Sequence, residues 1–378
     1  MCKKIIGVIV LWLSTFSIAW SQEMTPSDPQ ATTETRWLYS SLNRLLGAGV
    51  LFGHHDDTAY GVGWKFKDSS DVQKVTGNYP ALYGWDLSGI ELDSLWDINQ
   101  IPFTLQTKLV REAYERGGVN TFCWHMNNPV TLKTSWDTSR ILLKQLLPGG
   151  DHHEVYVTWL DRAAKYLGSL KGSAGESIPI LFRPFHEFTG NWFWWGVDNS
   201  EPADLIALWR FTVDHLRKER NLHNLIMVYS AADFYSEDEL LERYPGDEYV
   251  DVMGFDRYSF DTTSVYKVNM KQQLELLTEA AATHHKLACI AETGYQGIPQ
   301  ADWWTTTLLP ILKQYQEKVS YLMIWRNNGP EHYYIPFPGH AAANDLQKLT
   351  DDSTVILQNR LTPLQIYGPR HSLHYGHF

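Results

Sequence analysis

Hydrophobic and polar positions along this chain follow two rhythms. Short runs of β-branched and aromatic residues are separated by longer stretches in which apolar positions recur at helical spacing. The short runs predict strands at Val50–Gly53, Ala81–Asp86, Asn120–His125, Ile178–His186, Leu225–Ser230, Val252–Asp256, Ala288–Glu292 and Tyr321–Arg326. The longer stretches predict helices within 106–118, 157–170, 202–220, 270–286 and 301–315. In 202–220, for example, Leu205, Leu208, Val213 and Leu216 fall on one helical face and mark it for burial. Eight strands alternating with helices predict an α/β protein, a single-domain (β/α)₈ TIM barrel over residues 36–378. An open doubly wound sheet is the alternative. It usually carries a glycine-rich phosphate turn after its first strand, and here that strand runs into G-H-H-D-D at 53–57.

The N-terminus breaks the pattern. Lys3 and Lys4 precede an apolar run from Ile5 to Trp20, with small residues at Ala19 and Ser21. Residues 1–21 read as a cleaved signal peptide, and the Pro/Thr-rich residues 22–35 as a mobile leader. Cys2 lies before the apolar run, whereas a lipoprotein cysteine would follow it, so no membrane anchor is expected and the location is periplasmic or secreted. Loss of Lys3 and Lys4 takes the formal charge from −11 to −13. So acidic a protein is a poor partner for nucleic acid or an anionic membrane surface, but a neutral substrate suits it. Cys123 and Cys289 lie in apolar runs and read as buried free thiols, and no C-x-x-C zinc pattern exists. A monomer is expected.

Barrel logic places chemistry at the strand C-termini. Those ends read His54, Asp86, His125, Glu187, Asp256 with Tyr258, Glu292, and Trp325 with Arg326. Around Glu187 the segment R-P-F-H-E-F-T-G-N-W-F-W-W-G (183–196) holds six aromatic residues. Glu187 and Glu292 end the fourth and seventh strands, which face each other across a barrel mouth. Retaining glycoside hydrolysis needs two carboxyl groups about 5–5.5 Å apart, one protonated and one ionised. Aromatic surroundings disfavour the charged form, so Glu187 is assigned as acid/base and Glu292 as nucleophile. Two ordinary ion-paired acids would be the bland alternative, but glutamates rarely lie in apolar strands without a partner or a task. Flat rings suit the apolar faces of pyranoses, with placed donors and acceptors at the rim.

The G-H-H-D-D run has metal-ligand chemistry, but neighbouring strand residues point to opposite faces, so the four side chains are not expected to converge. No metal or cofactor is expected, and His54 or His55 is expected to line the cleft. Asp86 is expected to bond a substrate hydroxyl or brace its neighbours, and Trp136 to form a platform on the leaving-group side. Two other classes stay open: a non-catalytic glycan-binding protein, which would be expected to have lost a carboxylate, and a metal-dependent deacetylase resting on G-H-H-D-D alone.

The 183–196 segment resembles the acid/base motif of glycoside hydrolase family 26, mostly β-mannanases. A-E-T-G at 291–294 resembles its nucleophile motif, G-F-D-R-Y at 254–258 its strand-six motif, and F-C-W-H at 122–125 its strand-three motif. The resemblance implies a retaining barrel enzyme cleaving β-1,4-mannosidic bonds in mannan, galactomannan or glucomannan, with β-1,3-xylan and mixed-linkage β-glucan as alternatives. It implies that His125 and His186 lie near the sugar at the cleaved bond (the −1 sugar) and that Trp325 is the platform beneath it. Trp192 would line the leaving-group side, Tyr258 orient the nucleophile, and Arg183 keep the nucleophile ionised. The loop from Trp136 to Asp151 is long enough to close one end of the cleft and favour release from a chain end.

Overall fold

The computed structural model describes residues 24–139, 142–260 and 262–369. The expected signal peptide lies outside these residues. Eight strands form the barrel: β1 Val50–His55, β2 Leu82–Asp86, β3 Val119–Cys123, β4 Ile180–Arg183, β5 Leu225–Ala231, β6 Val252–Tyr258, β7 Leu287–Gly294 and β8 Val319–Ile324. Each lies parallel to the next, and β8 closes on β1 with Leu51 opposite Tyr321 and His54 opposite Ile324. Apart from half-buried Tyr258, every strand residue is buried. That burial on both faces explains the unbroken apolar runs of the sequence, where a one-sided sheet would alternate.

Helices follow the strands and cover the barrel, the longest being Phe103–Glu115, His153–Ser169, Pro202–Asp214 and Thr263–Thr283. Two predicted helices are irregular. The 202–220 helix widens to a π-turn over His215–Glu219. In 301–315, a π-turn over Trp304–Leu308 precedes the regular helix Leu309–Tyr315. Pro310 has no N–H to give to the preceding turn, and a widened turn accommodates that loss.

Two expectations need correction. The fourth strand stops at Arg183 and does not reach His186. Pro184 cannot donate to a ladder, and Phe185 and Glu187 adopt left-handed backbone with φ of 49° and 56°. The described part of the supposed mobile leader is docked instead. The Ser27 N–H donates to Asp251 Oδ1 at 2.5 Å, and Asp28 pairs with His223 at 2.8 Å. Arg217 donates to Ser27 Oγ at 2.9 Å, and Thr32 then caps the helix Thr33–Arg44. Polar composition alone reads as mobile, but here buried Asp28 and Asp251 find cationic partners across the base of the barrel. Cys123 and Cys289 are buried free thiols.

Leu322 is wholly buried in β8, opposite Phe52 of β1 at the closure of the barrel. Leu322→Ala is expected to lower unfolding stability by about 3 kcal/mol through lost burial and a residual cavity. Urea unfolding followed by far-UV circular dichroism measures this. A loss below about 1 kcal/mol would mean that the closure is loosely packed.

Candidate active site

The site begins with Arg183, the last residue of β4. Its buried guanidinium donates to Asp256 of β6 at 2.7 Å and also to Glu292 of β7. Glu292 receives a second hydrogen bond from the Tyr258 hydroxyl at 2.5 Å. Asp256 also accepts from Ser230 Oγ at 3.0 Å. Burial pushes the Asp256 carboxyl up to about 7 against the pull of Arg183. Four neighbouring strands are thus joined by one polar cluster above the barrel core.

Glu187 follows the break in β4. Its N–H donates to the Ser230 carbonyl at 2.8 Å, fixing the left-handed turn that turns the residue over the cleft. Trp192 Nε1 donates to Glu187 Oε2 at 2.6 Å. A Cβ on Gly190 would lie 2.3 Å from the Trp192 ring, so only glycine lets that indole fold back onto the acid. Burial, then the charges of Asp256 and Glu292, hold the Glu187 carboxyl well above its ordinary range. Part of the residue stays open to the cleft, but two carboxylates face it and the nearby cation is already engaged. One oxygen from each of Glu187, Asp256 and Glu292 lies within 4.8 Å of the others.

A second cluster builds the opposite flank. His125 Nδ1 lies 2.5 Å from Asp86 Oδ2, and its Nε2 lies 3.3 Å from His186 Nε2. Against the opposing effect of burial, His125 holds Asp86 down to about 2. Burial pulls the His186 pKa well down, so this ring is neutral. The His186 Nδ1 is buried without a hydrogen-bond partner among the described residues. Trp136 stacks on His125 with centroids 5.3 Å apart, and His55 stacks on Trp325 at 4.3 Å.

The structure therefore brings together Arg183, Glu187, Trp192, Asp256, Tyr258 and Glu292, and beside them His125, His186 and Trp325. His54 and Trp136 are placed differently from expectation, and Asp86 takes the second of its two expected roles. His54 is wholly buried and bonds Asp57 at 2.7 Å; its neighbour His55 points the other way and stacks on Trp325. Asp86 takes the bracing role. Its carboxylate is taken up by His125 and the Ser88 N–H, so it braces the histidine. Trp136 belongs to the His125 flank and does not line the cavity beyond Glu187. The loop expected to close the cleft starts anchored, with Thr131 donating to Asp137 at 2.7 Å, but residues 140 and 141 lie outside the described set. Trp194 and Trp195 are fully buried supports, their indoles donating to the carbonyls of Met126 and His186.

Sequence reasoning missed Asp233, Arg257 and Phe260, which line the cavity beside Glu187. A lone Phe260 in the polar loop S-F-D-T-T after β6 was the available signal. Among the described residues, two sets put three metal-ligand-type atoms within 4.8 Å: Asp86, Cys123 and His125, and Glu187, Asp256 and Glu292. In the first, Asp86 and His125 satisfy each other and burial pushes the thiol well up. In the second, Arg183 already supplies the positive charge.

The family model for glycosyl hydrolase family 26 matches residues 27–353. A mannan endo-1,4-β-mannosidase from Bifidobacterium adolescentis is 29% identical over 357 residues, which is 88% of this chain but 35% of that protein. The mannan endo-1,4-β-mannosidase of Bacillus subtilis is 26% identical, over 86% of this chain and 89% of its own length. Among solved structures, a family 26 β-mannanase from Bacteroides ovatus superposes with a TM-score of 0.86 at 39% identity, covering 92% of this chain and 100% of that one. The chain belongs to glycosyl hydrolase family 26.

Proposed function

We propose that this chain is a retaining mannan endo-1,4-β-mannosidase that cleaves β-1,4-mannosidic bonds by double displacement. The observation that carries the reading is the carboxyl pair. Oxygens of Glu187 and Glu292 lie within 4.8 Å, near the spacing of retaining enzymes and short of the 6.5–9.5 Å that inverting enzymes need to admit water. Their surroundings also differ in the required sense. Glu292 receives Arg183 and Tyr258, as a carboxylate nucleophile would, while Glu187 is held in its acid form.

In the first step a Glu292 oxygen attacks the anomeric carbon. The glycosidic C–O bond breaks, and Glu187 gives its proton to the leaving oxygen. In the second step Glu187, now a carboxylate, takes a proton from water. That water oxygen bonds to the anomeric carbon and releases Glu292. Trp325 and the paired histidines flank the −1 sugar. The mannan specificity rests on the likeness to the named mannosidases. Export to the periplasm or medium is part of the same proposal. It rests on Lys3, Lys4 and the apolar run after them, and suits an enzyme whose substrate is a polymer.

Reducing-sugar release from soluble β-mannan tests the assignment. The protein should release sugar, and Glu292→Ala should lower kcat by about 10⁴-fold or more. Release by both proteins would reject Glu292 as nucleophile. The pH profile gives a second test. Glu187 must be protonated in the first step, so activity falls as pH rises through its elevated pKa. The Trp192 N–H stabilises the carboxylate form and lowers that pKa. Trp192→Phe should therefore move the alkaline limb of kcat/KM to higher pH, and a move to lower pH would contradict the account.

A further inference from the structure

Beyond Glu187 the cleft continues as a cavity of about 400 Å³, within the size range of small-ligand sites. Its walls include Trp192, Asp233, Arg257, Tyr258 and Phe260, and none of Trp325, His55 or His125. Glu187 is itself part of its lining, and the His125–Trp325 cluster is not. Sugars on the acid's side of the cleaved bond are the leaving group, so the cavity faces that part of the substrate.

Phe260 is unusual here. Its side chain is 78% exposed, with the ring tilted 32° from that of Tyr258 at 5.4 Å. Such a ring contributes little to folding, since most of its apolar area stays in water. Next to it Arg257 donates to Asp233 Oδ1 at 2.5 Å, and Asp233 also accepts from Gln273 at 3.0 Å. A flat apolar face beside a fixed polar edge matches the two surfaces of a hexopyranose, its C–H face and its hydroxyl rim.

We propose that Phe260, with the Arg257–Asp233 pair at its edge, forms a leaving-group subsite that holds a β-linked hexose and sets a preference for longer substrates. This rests on the hydrolase reading above. The same subsite would hold an acceptor against the glycosyl-enzyme. The acceptor hydroxyl oxygen then bonds to the anomeric carbon, its proton passes to Glu187, and the ester bond to Glu292 breaks. Loss of the platform would therefore reduce transfer to sugar relative to transfer to water.

The test compares the full chain with Phe260→Ala and Phe260→Trp on two substrates, mannopentaose and an aryl β-mannobioside whose leaving group carries no sugar. In Phe260→Ala the ratio of kcat/KM for mannopentaose to that for the aryl glycoside should fall about tenfold, and Phe260→Trp should restore it. Transfer products from mannopentaose should decline with the same variant. An unchanged ratio overturns the subsite, whether because neither rate moves or because both fall equally, which would place the effect on Tyr258. A wild-type protein that cleaves neither substrate would instead reject the mannosidase reading on which the subsite depends.

Discussion

One buried guanidinium faces three carboxyl groups, and this imbalance organises the site. Arg183 contacts Asp256 and Glu292 and can balance only one negative charge between them, so nothing remains for Glu187. A buried charge without a partner is costly, so the third carboxyl keeps its proton. This charge balance is what the proposed roles of Glu187 and Glu292 rest on. The same contacts tie β4 to β6 and β7, so the chemistry and the local barrel geometry have a common origin. Removing Arg183 would leave two buried carboxylates uncompensated, a change on the order of 3–5 kcal/mol.

The aromatic residues divide the work around this cluster. Trp194 and Trp195 are scaffolding, and their indoles fix main-chain carbonyls, one of them that of His186. Trp192 does two things: its N–H holds Glu187, and its 41% exposure leaves ring surface open to the cleft. Gly190 makes that geometry possible by leaving room for the indole. On the other flank Asp86, His125 and His186 form a hydrogen-bonded row under Trp136 and beside Trp325. Within this row His186 is neutral and buried.

The barrel was legible because its strands are buried on both faces and therefore read as uninterrupted apolar runs. The two glutamates proposed as catalytic were legible because Glu292 lies within one such run and Glu187 shortly after another. What the sequence did not reveal depends on backbone turns and on partners distant in the chain. His54 and His55 are both histidines at a strand end, and only the pleat decides that His55 meets Trp325 while His54 turns to Asp57. Asp86 reads equally as a ligand or a brace, and only the three-dimensional pairing with His125 decides between them. The docking of residues 24–32 depends on Asp251, Arg217 and His223, all about two hundred residues downstream. Phe260 lies outside any strand or helical period, so periodicity had nothing to say about it.

The division of charge among Glu187, Asp256 and Glu292 underlies the proposed covalent glycosyl-enzyme, which implies two inversions at the anomeric carbon. Proton NMR of the anomeric signals during early hydrolysis of a manno-oligosaccharide tests this most directly. The account predicts that the β-anomer of the new reducing end appears first and only later equilibrates with the α-anomer. Initial release of the α-anomer would mean a single displacement by water, and would contradict the roles given to both glutamates.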